Sequence, residues 1–251
     1  PEKEFFLRNY TQTDDLLYTR ATHYIANYQR VSRSYTLRIE AFYKKYDELV
    51  KTYATKGNML PDSVANGGSG KAQGIELFWR DRKTFKDVDY WVSYSYLDTK
   101  RDYLNYPYAI QPSFAANHTA NLVVKKFFTK FKTSFNASYS FATGRPYYNF
   151  RYNAGDGKFV IADQGKTIAY NNLSLSVNYL PGIGKKDAKK FTVWVFSLNN
   201  VLGNDQIFGY NYSWNGSRKD PILPTARRFF FVGCFISFGI DRSEDVINSN
   251  L

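Results

Sequence analysis

The chain has 251 residues, 43% of them hydrophobic, which is the composition of a folded protein and excludes a disordered segment. The net charge is +12, but the basic residues are scattered and cluster only in short turns, which argues against a nucleic-acid surface. No apolar run approaches the roughly 18 residues of a transmembrane helix. The single cysteine, Cys234, excludes an internal disulfide.

Nine segments alternate between apolar and polar residues, which is the period of a β-strand. The clearest is 34–47, where the apolar set begins at Tyr35 and ends at Tyr43, as expected of aromatic girdles at two lipid–water boundaries. The segment Gln206–Trp214 is interpreted as an extension of the eighth strand. The nine predicted strands are 21–31, 34–47, 71–81, 89–100, 117–127, 131–143, 168–180, 190–202 and 227–239.

The connections between these strands alternate in length. The short or medium ones are 32–33, 82–88, 128–130 and 181–189, and the long ones are 48–70, 101–116, 144–167 and 203–225. Because successive antiparallel strands run in opposite directions, the short turns all lie at one end and the long loops at the other. This asymmetry is typical of outer-membrane barrels. The sequence therefore predicts an all-β fold, a transmembrane antiparallel up-and-down β-barrel.

Each strand of such a barrel turns its apolar set to lipid and its polar set to the lumen. In the last strand the predicted lipid-facing residues are Phe230, Val232, Cys234, Ile236 and Phe238. The predicted lumen-facing charges of the second and third strands are Arg38, Glu40, Glu76 and Arg80. We expect the two glutamates to neutralise the two arginines rather than to act as a catalytic pair.

Five stretches carry a resemblance to a known family: Thr36–Tyr46, Gly70–Leu77, Thr143–Tyr147, Ser197–Gly203 and Arg227–Gly233. In this order and spacing the chain resembles TonB-dependent outer-membrane receptors, especially those of Bacteroides-like bacteria. The resemblance implies a barrel of about 22 strands with an N-terminal plug. This chain would supply the C-terminal part of the barrel without the plug, with an outer loop at 1–20, strands over 21–239 and a polar tail at 240–251.

The resemblance also implies a function, a location and partners. The function is active uptake of a scarce ligand across the outer membrane of a Gram-negative bacterium, with this chain forming wall, lumen surface and part of the ligand mouth. The partners are outer-membrane lipid, the rest of the barrel, the plug, an energy-transducing inner-membrane complex reached through the plug, and a surface lipoprotein lid. The Phe238 side chain would be the terminal aromatic of the barrel, although Gly239–Leu251 follow it.

No residue pattern predicts catalysis, a cofactor or a metal. The stretch Asn66–Lys71 lacks the first glycine and the Ser/Thr of a phosphate loop and precedes a strand, so we expect a flexible loop there. The two histidines, His23 and His118, lie far apart without metal-ligand spacing. The chain is therefore predicted not to be an enzyme.

Aromatic residues in the long loops are the predicted ligand contacts, because these loops cover the mouth and aromatic rings can stack on sugars or anchor a peptide. The alternative is that they pack on each other. The candidates are Tyr147, Tyr148, Phe150, Tyr152, Phe208, Tyr210, Tyr212 and Trp214. Two other functions remain open at this point: a passive porin-like or adhesion barrel, and a soluble glycan-binding β-protein.

Overall fold

A computed structural model describes residues 12–13, 16–53, 63–153, 155, 158–184, 190–213 and 216–238. The regular structure in these residues consists of strands and one short 3-10 turn, Thr129–Phe131. The strands are β1 Gln12–Thr13, β2 Arg20–Val31, β3 Tyr35–Tyr53, β4 Ser63–Asp81, β5 Val88–Asp102, β6 His118–Phe128, β7 Thr133–Ala142, β8 Pro146–Asn153, β9 Lys158–Lys166, β10 Tyr170–Tyr179, β11 Lys190–Asn199, β12 Gly209–Tyr212, β13 Lys219–Ile222 and β14 Phe229–Phe238.

Nine strands pair in the order β2-β3-β4-β5-β6-β7-β10-β11-β14 to form one antiparallel sheet. They coincide with the nine predicted strands, and the predicted up-and-down order is confirmed. The strands β8 and β9 form a separate hairpin, as do β12 and β13, and both hairpins lie in long connections. The short strand β1 runs parallel to β4 at Ser63 and Val64.

The register places the predicted apolar sets on one side of the sheet, since residues opposite each other on paired strands project from the same side. Ile39 lies opposite Leu77, and Leu77 lies opposite Tyr94. Further along, Leu175 lies opposite Leu198, which lies opposite Phe230. We call this side the outward face. The other side, which carries Arg38, Glu76 and the serine and asparagine rows, is called the inner face.

The strands β3 and β4 are longer than the sequence predicts, and the predicted flexible loop at Asn66–Lys71 is wrong. This stretch is part of β4 and pairs with β3 across a bulge at Asp47–Val50. A Cβ atom at Gly68 would overlap the carbonyl oxygens of Leu49 and Asp102, so a glycine permits the close approach of the backbones. The polar composition suggested a loop, but tertiary pairing decided the structure.

A small core stabilises this extension. Leu16, Val50 and Val64 are buried together, and Leu104 packs against them. The alternate positions of the two strands supply Val50 and Val64, while the segment before β2 supplies Leu16. The extended ends of β3 and β4 therefore have a small hydrophobic core of their own.

The predicted extension of the eighth strand through Gln206–Trp214 is also wrong. Within the described ranges β12 pairs only with β13, and β11 ends before Asn200. The Asn200 side chain is buried and its Nδ2 donates to the carbonyl oxygens of Asn204 and Arg227, at 2.8 and 2.7 Å. These bonds turn the chain away from β11 and hold the entry to β14 beside it.

Across the described part of the chain, no helix is long and apolar enough to span a membrane.

Candidate binding site in the long-loop hairpins

Two hairpins meet at the end of the sheet that carries the long connections. The ring of Tyr147 on β8 packs edge-to-face on Tyr210 of β12, with centroids 4.6 Å apart. Both strands alternate apolar and polar residues like the wall strands, but each pairs with its neighbour in a separate hairpin. The contact between the hairpins therefore brings together residues that are between 49 and 72 positions apart in sequence.

Lys219 on β13 lies at the centre of this contact. Its Nζ donates to the Tyr147 hydroxyl at 2.5 Å and to Asp163 Oδ2 at 3.1 Å. The same ammonium lies 3.8 Å from the Tyr147 ring centroid and 4.5 Å from that of Tyr210, within cation–π range. The hydroxyl of Tyr212 donates to Asp163 Oδ2 at 2.6 Å. We call these five residues the Lys219 cluster.

The surroundings in the cluster lower the pKa of one member and raise the pKa of two others. Hydrogen bonds from Tyr212 and Lys219 lower the pKa of Asp163. Partial burial, followed by the bond to Asp163, raises the pKa of Tyr212 to about 12. The hydrogen bond to Tyr147 is the main cause that raises the pKa of Lys219. At neutral pH the cluster therefore holds the Lys219 ammonium, the Asp163 carboxylate and a neutral Tyr212. The Lys219 and Asp163 side chains remain 31% and 41% exposed.

Other predicted aromatic contacts have structural roles. Phe150 packs on Tyr106, whose ring is buried, at 5.1 Å between centroids. The Tyr148 hydroxyl donates to the Gln111 carbonyl oxygen at 2.9 Å, and Tyr148 also stacks on Phe150. Tyr148 and Phe150 therefore pack within the loops, and their role as ligand contacts stays a prediction. Burial raises the pKa of both Tyr106 and Tyr148, as expected inside an apolar loop core.

The remaining candidates are spread over the same loops. Tyr152 contacts Phe159 across the first hairpin at 5.6 Å between centroids. Phe208 is exposed just before β12. Trp214 lies outside the described residues. Lys219 and Asp163 were not predicted as site residues, and neither has a local sequence signal, because only the meeting of the two hairpins makes them neighbours.

A cleft of about 510 Å³ opens beneath the entry to the second hairpin, between Ile207–Phe208 and the inner face. Its wall includes Asn121 and Ser140 from the sheet, Arg145 and Tyr170 from the strand ends, and Phe208 from the loop. Volume and lining fit a small-molecule site, in which apolar surface is combined with a few polar groups.

The predicted lumen-facing charges lie on the inner face, but their partners differ partly from the expectation. Glu76 lies near Arg38, with a guanidinium-to-carboxylate distance of 3.9 Å. Arg80 instead binds Asp89, which is fully buried, through a 2.9 Å bond from Nε. Glu40 lies directly opposite Glu76 and accepts a 3.0 Å bond from Asn27. The expectation that both glutamates neutralise both arginines was therefore wrong for Arg80. Asp89 does this because burial of a carboxylate requires a partner.

The described residues contain no cluster of three or more His, Cys, Asp or Glu side chains that could hold a metal ion.

Comparison with known proteins gives matches only among solved structures. No family model matches the sequence, and no curated protein matches it. The outer membrane transporter YddB from Escherichia coli is 12% identical, with a TM-score of 0.62 over 92% of this chain and 34% of that one. The FrpB iron transporter from Neisseria meningitidis is 13% identical, with a TM-score of 0.62 over 90% of this chain and 32% of that one.

The ferripyoverdine receptor of the outer membrane of Pseudomonas aeruginosa is 11% identical, with a TM-score of 0.60 over 87% of this chain and 27% of that one. The chain thus spans about a third or less of these structures. At this identity the likeness concerns the fold. The nine-stranded meander has the fold of part of an outer-membrane transporter or receptor, which confirms the resemblance at the level of structure.

Proposed function

We propose that this chain forms part of the wall of an active-transport receptor of the TonB-dependent type in the outer membrane of a Gram-negative bacterium. The observation that carries the proposal is the single nine-stranded meander, which has one apolar face and one polar face, with both hairpins of the described residues in the long connections at one end. These features match the division of such a barrel into lipid side, lumen side and extracellular mouth.

The exposed apolar residues support contact with lipid. On the outward face Phe230 is 75% exposed, and Ile75, Leu122, Leu175 and Phe196 are all exposed as well. Aromatic pairs lie near both ends of this face: Tyr24 with Tyr43, and Tyr35 with Trp79. A soluble glycan-binding β-protein would cover one face with a second layer. Among the described residues no second sheet packs on the outward face.

The two edges of the sheet support a larger barrel. The strands β2 and β14 each pair on one side only within the described residues. In lipid an open edge leaves backbone groups without hydrogen-bond partners, at a cost of several kcal/mol per group. We therefore propose that both edges pair with further wall strands, that the plug occupies the lumen, and that the energy-transducing complex acts through it.

The ligand mouth is proposed to include the exposed side of the Lys219 cluster and the cleft beneath the entry to the second hairpin. The cluster presents tyrosine hydroxyls and ring edges that its hydrogen bonds hold in place. The cleft presents Arg145 and Phe208 beside polar residues of the inner face. A lipoprotein lid would close over these hairpins.

Two measurements test the proposal. The full-length protein should fractionate with the outer membrane and migrate faster in detergent gels before boiling than after it. Cells should lose uptake of the ligand when the energy-transducing complex is removed, because transport by a plugged barrel requires its energy. Uptake that continues without the complex would favour the passive porin. A protein that stays soluble and monodisperse without detergent would overturn the membrane assignment.

A further inference from the structure

A groove of about 730 Å³ lies on the outward face at the short-turn end of β6, β7 and β10. Its volume is within the range of about 300–1,000 Å³ that ligand pockets occupy. Small and branched side chains form its floor and walls, among them Val124, Ala137, Leu175 and Val177. This groove lies at the opposite end of the sheet from the proposed ligand mouth.

The groove exists because of one small residue. Ala137 lies between Val124 on β6 and Leu175 on β10 in the same cross-strand row. The next row towards the turn has Phe135 between Lys126 and Val177. The methyl group of Ala137 leaves a depression between larger neighbours, which runs along β7 towards the turn.

A cationic and aromatic rim closes the groove at the turn. Phe128 packs edge-to-face on Phe135 at 5.4 Å and lies 6.3 Å from Phe131. The Lys126 ammonium lies 5.2 Å from the Phe128 ring centroid. This arrangement matches a lysine that extends along apolar surface to reach a membrane interface. Lys130 is exposed in the same turn.

Among the described residues, neither Lys126 nor Lys130 forms a salt bridge with an acidic side chain. Two other lysines beside this turn have contacts of their own: Lys125 lies over Trp91 on the inner face, and Lys132 Nζ donates to the Pro181 carbonyl oxygen at 3.4 Å. Opposite Lys126 stand Phe135 and Val88, both apolar. An occupant of the groove therefore needs an apolar body along Ala137 and an anionic group at Lys126 and Lys130.

We infer that the groove binds an anionic phospholipid, with one acyl chain along Ala137 and the phosphate at Lys126 and Lys130. The inference rests on the proposed function, because it requires the outward face to lie in lipid. Detergent or zwitterionic lipid could fill the apolar part, but only a net anionic headgroup complements the rim.

The test uses the full-length protein purified in mild detergent, with added phosphatidylglycerol or phosphatidylcholine as the probe and native mass spectrometry to count bound lipid. Lys126→Gln should weaken retention of phosphatidylglycerol about fivefold, the change expected from one lysine lost near an anionic headgroup. It should leave retention of phosphatidylcholine unchanged. Lys100→Gln is the matched control, because this exposed lysine lies on the same face at the long-loop end.

A second pair of variants tests the apolar part. Ala137→Trp should fill the groove and reduce retention of both lipids, whereas Ala41→Trp adds the same bulk to the outward face beside Ala26 and Ile75, away from the groove. Equal retention in each variant and its control would overturn the lipid site while the barrel remained intact. Absence of the heat-dependent mobility shift in the parent protein would instead refute the proposed function. The two failures are therefore distinguishable.

Discussion

At the scale of single residues, Asp163 makes the contact between the two long-loop hairpins sensitive to acid. Its carboxylate accepts hydrogen bonds from Tyr212 and Lys219, and its pKa is lowered from the ordinary value of 3.8. A group with a lowered pKa in the folded state stabilises that state above its ordinary pKa and ceases to do so as the pH falls through the lowered value.

We therefore expect the hairpins to separate only below about pH 4. Spin labels at the exposed positions Gln164 and Leu223 should show a single short distance at neutral pH and a broad distribution in acid. Asp163→Asn should remove this pH dependence. If that variant and the parent broadened over the same pH range, another group would be responsible.

A second prediction at this scale concerns Asn200, which is 1% exposed. Its amide satisfies the carbonyl oxygens of Asn204 and Arg227, and its backbone N–H donates to Asn172 Oδ1 at 3.0 Å. Asn200→Ala removes both bonds that this buried amide donates, so we expect a loss of about 1–3 kcal/mol in the free energy of unfolding.

Urea unfolding of the full-length protein in liposomes would measure this loss. Asn121→Ala is the control, since it removes one exposed 3.4 Å bond to Ser93 and should change stability by less than about 0.5 kcal/mol. Equal effects would mean that the Asn200 bonds to the entry of β14 contribute little.

At the scale of elements, β11 and β14 provide the sharpest test of which face meets lipid. Val232 is exposed opposite Phe196 on the outward face, whereas Ser197 lies opposite Phe231 on the inner face. Val232→Arg should cost about 2–4 kcal/mol near mid-membrane and impair insertion. Ser197→Arg, on the adjacent strand, should insert normally. A membrane-insertion assay that ranked the two variants in the opposite order would show that the faces are reversed.

The elements also show how far alternation alone is informative. It located all nine wall strands within a few residues, except where β3 and β4 extend beyond their predicted ends. The extension was missed because residues 48–53 and 63–70 are rich in polar residues and glycine. The buried cluster of Leu16, Val50 and Val64 stabilises the extended ends of β3 and β4, which local strand preference does not favour.

At the scale of the whole molecule, Cys234 reports on the environment of the outward face. It is exposed and lies opposite Trp194. If the sheet is part of a membrane barrel, a charged maleimide should fail to label Cys234 in intact outer membranes and should label it after denaturation, because lipid excludes a charged reagent. Mass spectrometry of the labelled peptide would measure this. Labelling in intact membranes at the denatured rate would place the outward face in water.

The sequence by itself determined the class of fold, the two faces of the wall and the end that carries the long loops. These features follow from local alternation and from the lengths of connections, both of which are properties of neighbouring residues. It also indicated aromatic candidates in the loops. It could not predict that Tyr148 and Phe150 pack on Tyr106, or that Tyr147, Tyr210 and Tyr212 lie in the Lys219 cluster.

Only the tertiary structure decided which charged groups pair and where a binding surface forms. Lys219 contacts Tyr147 across 72 residues and Asp163 across 56, because the two hairpins pack on each other outside the wall. Arg80 likewise binds Asp89 rather than a glutamate, because the fold buries Asp89 beside it. Such contacts depend on the position of whole elements, and no spacing along the chain encodes them.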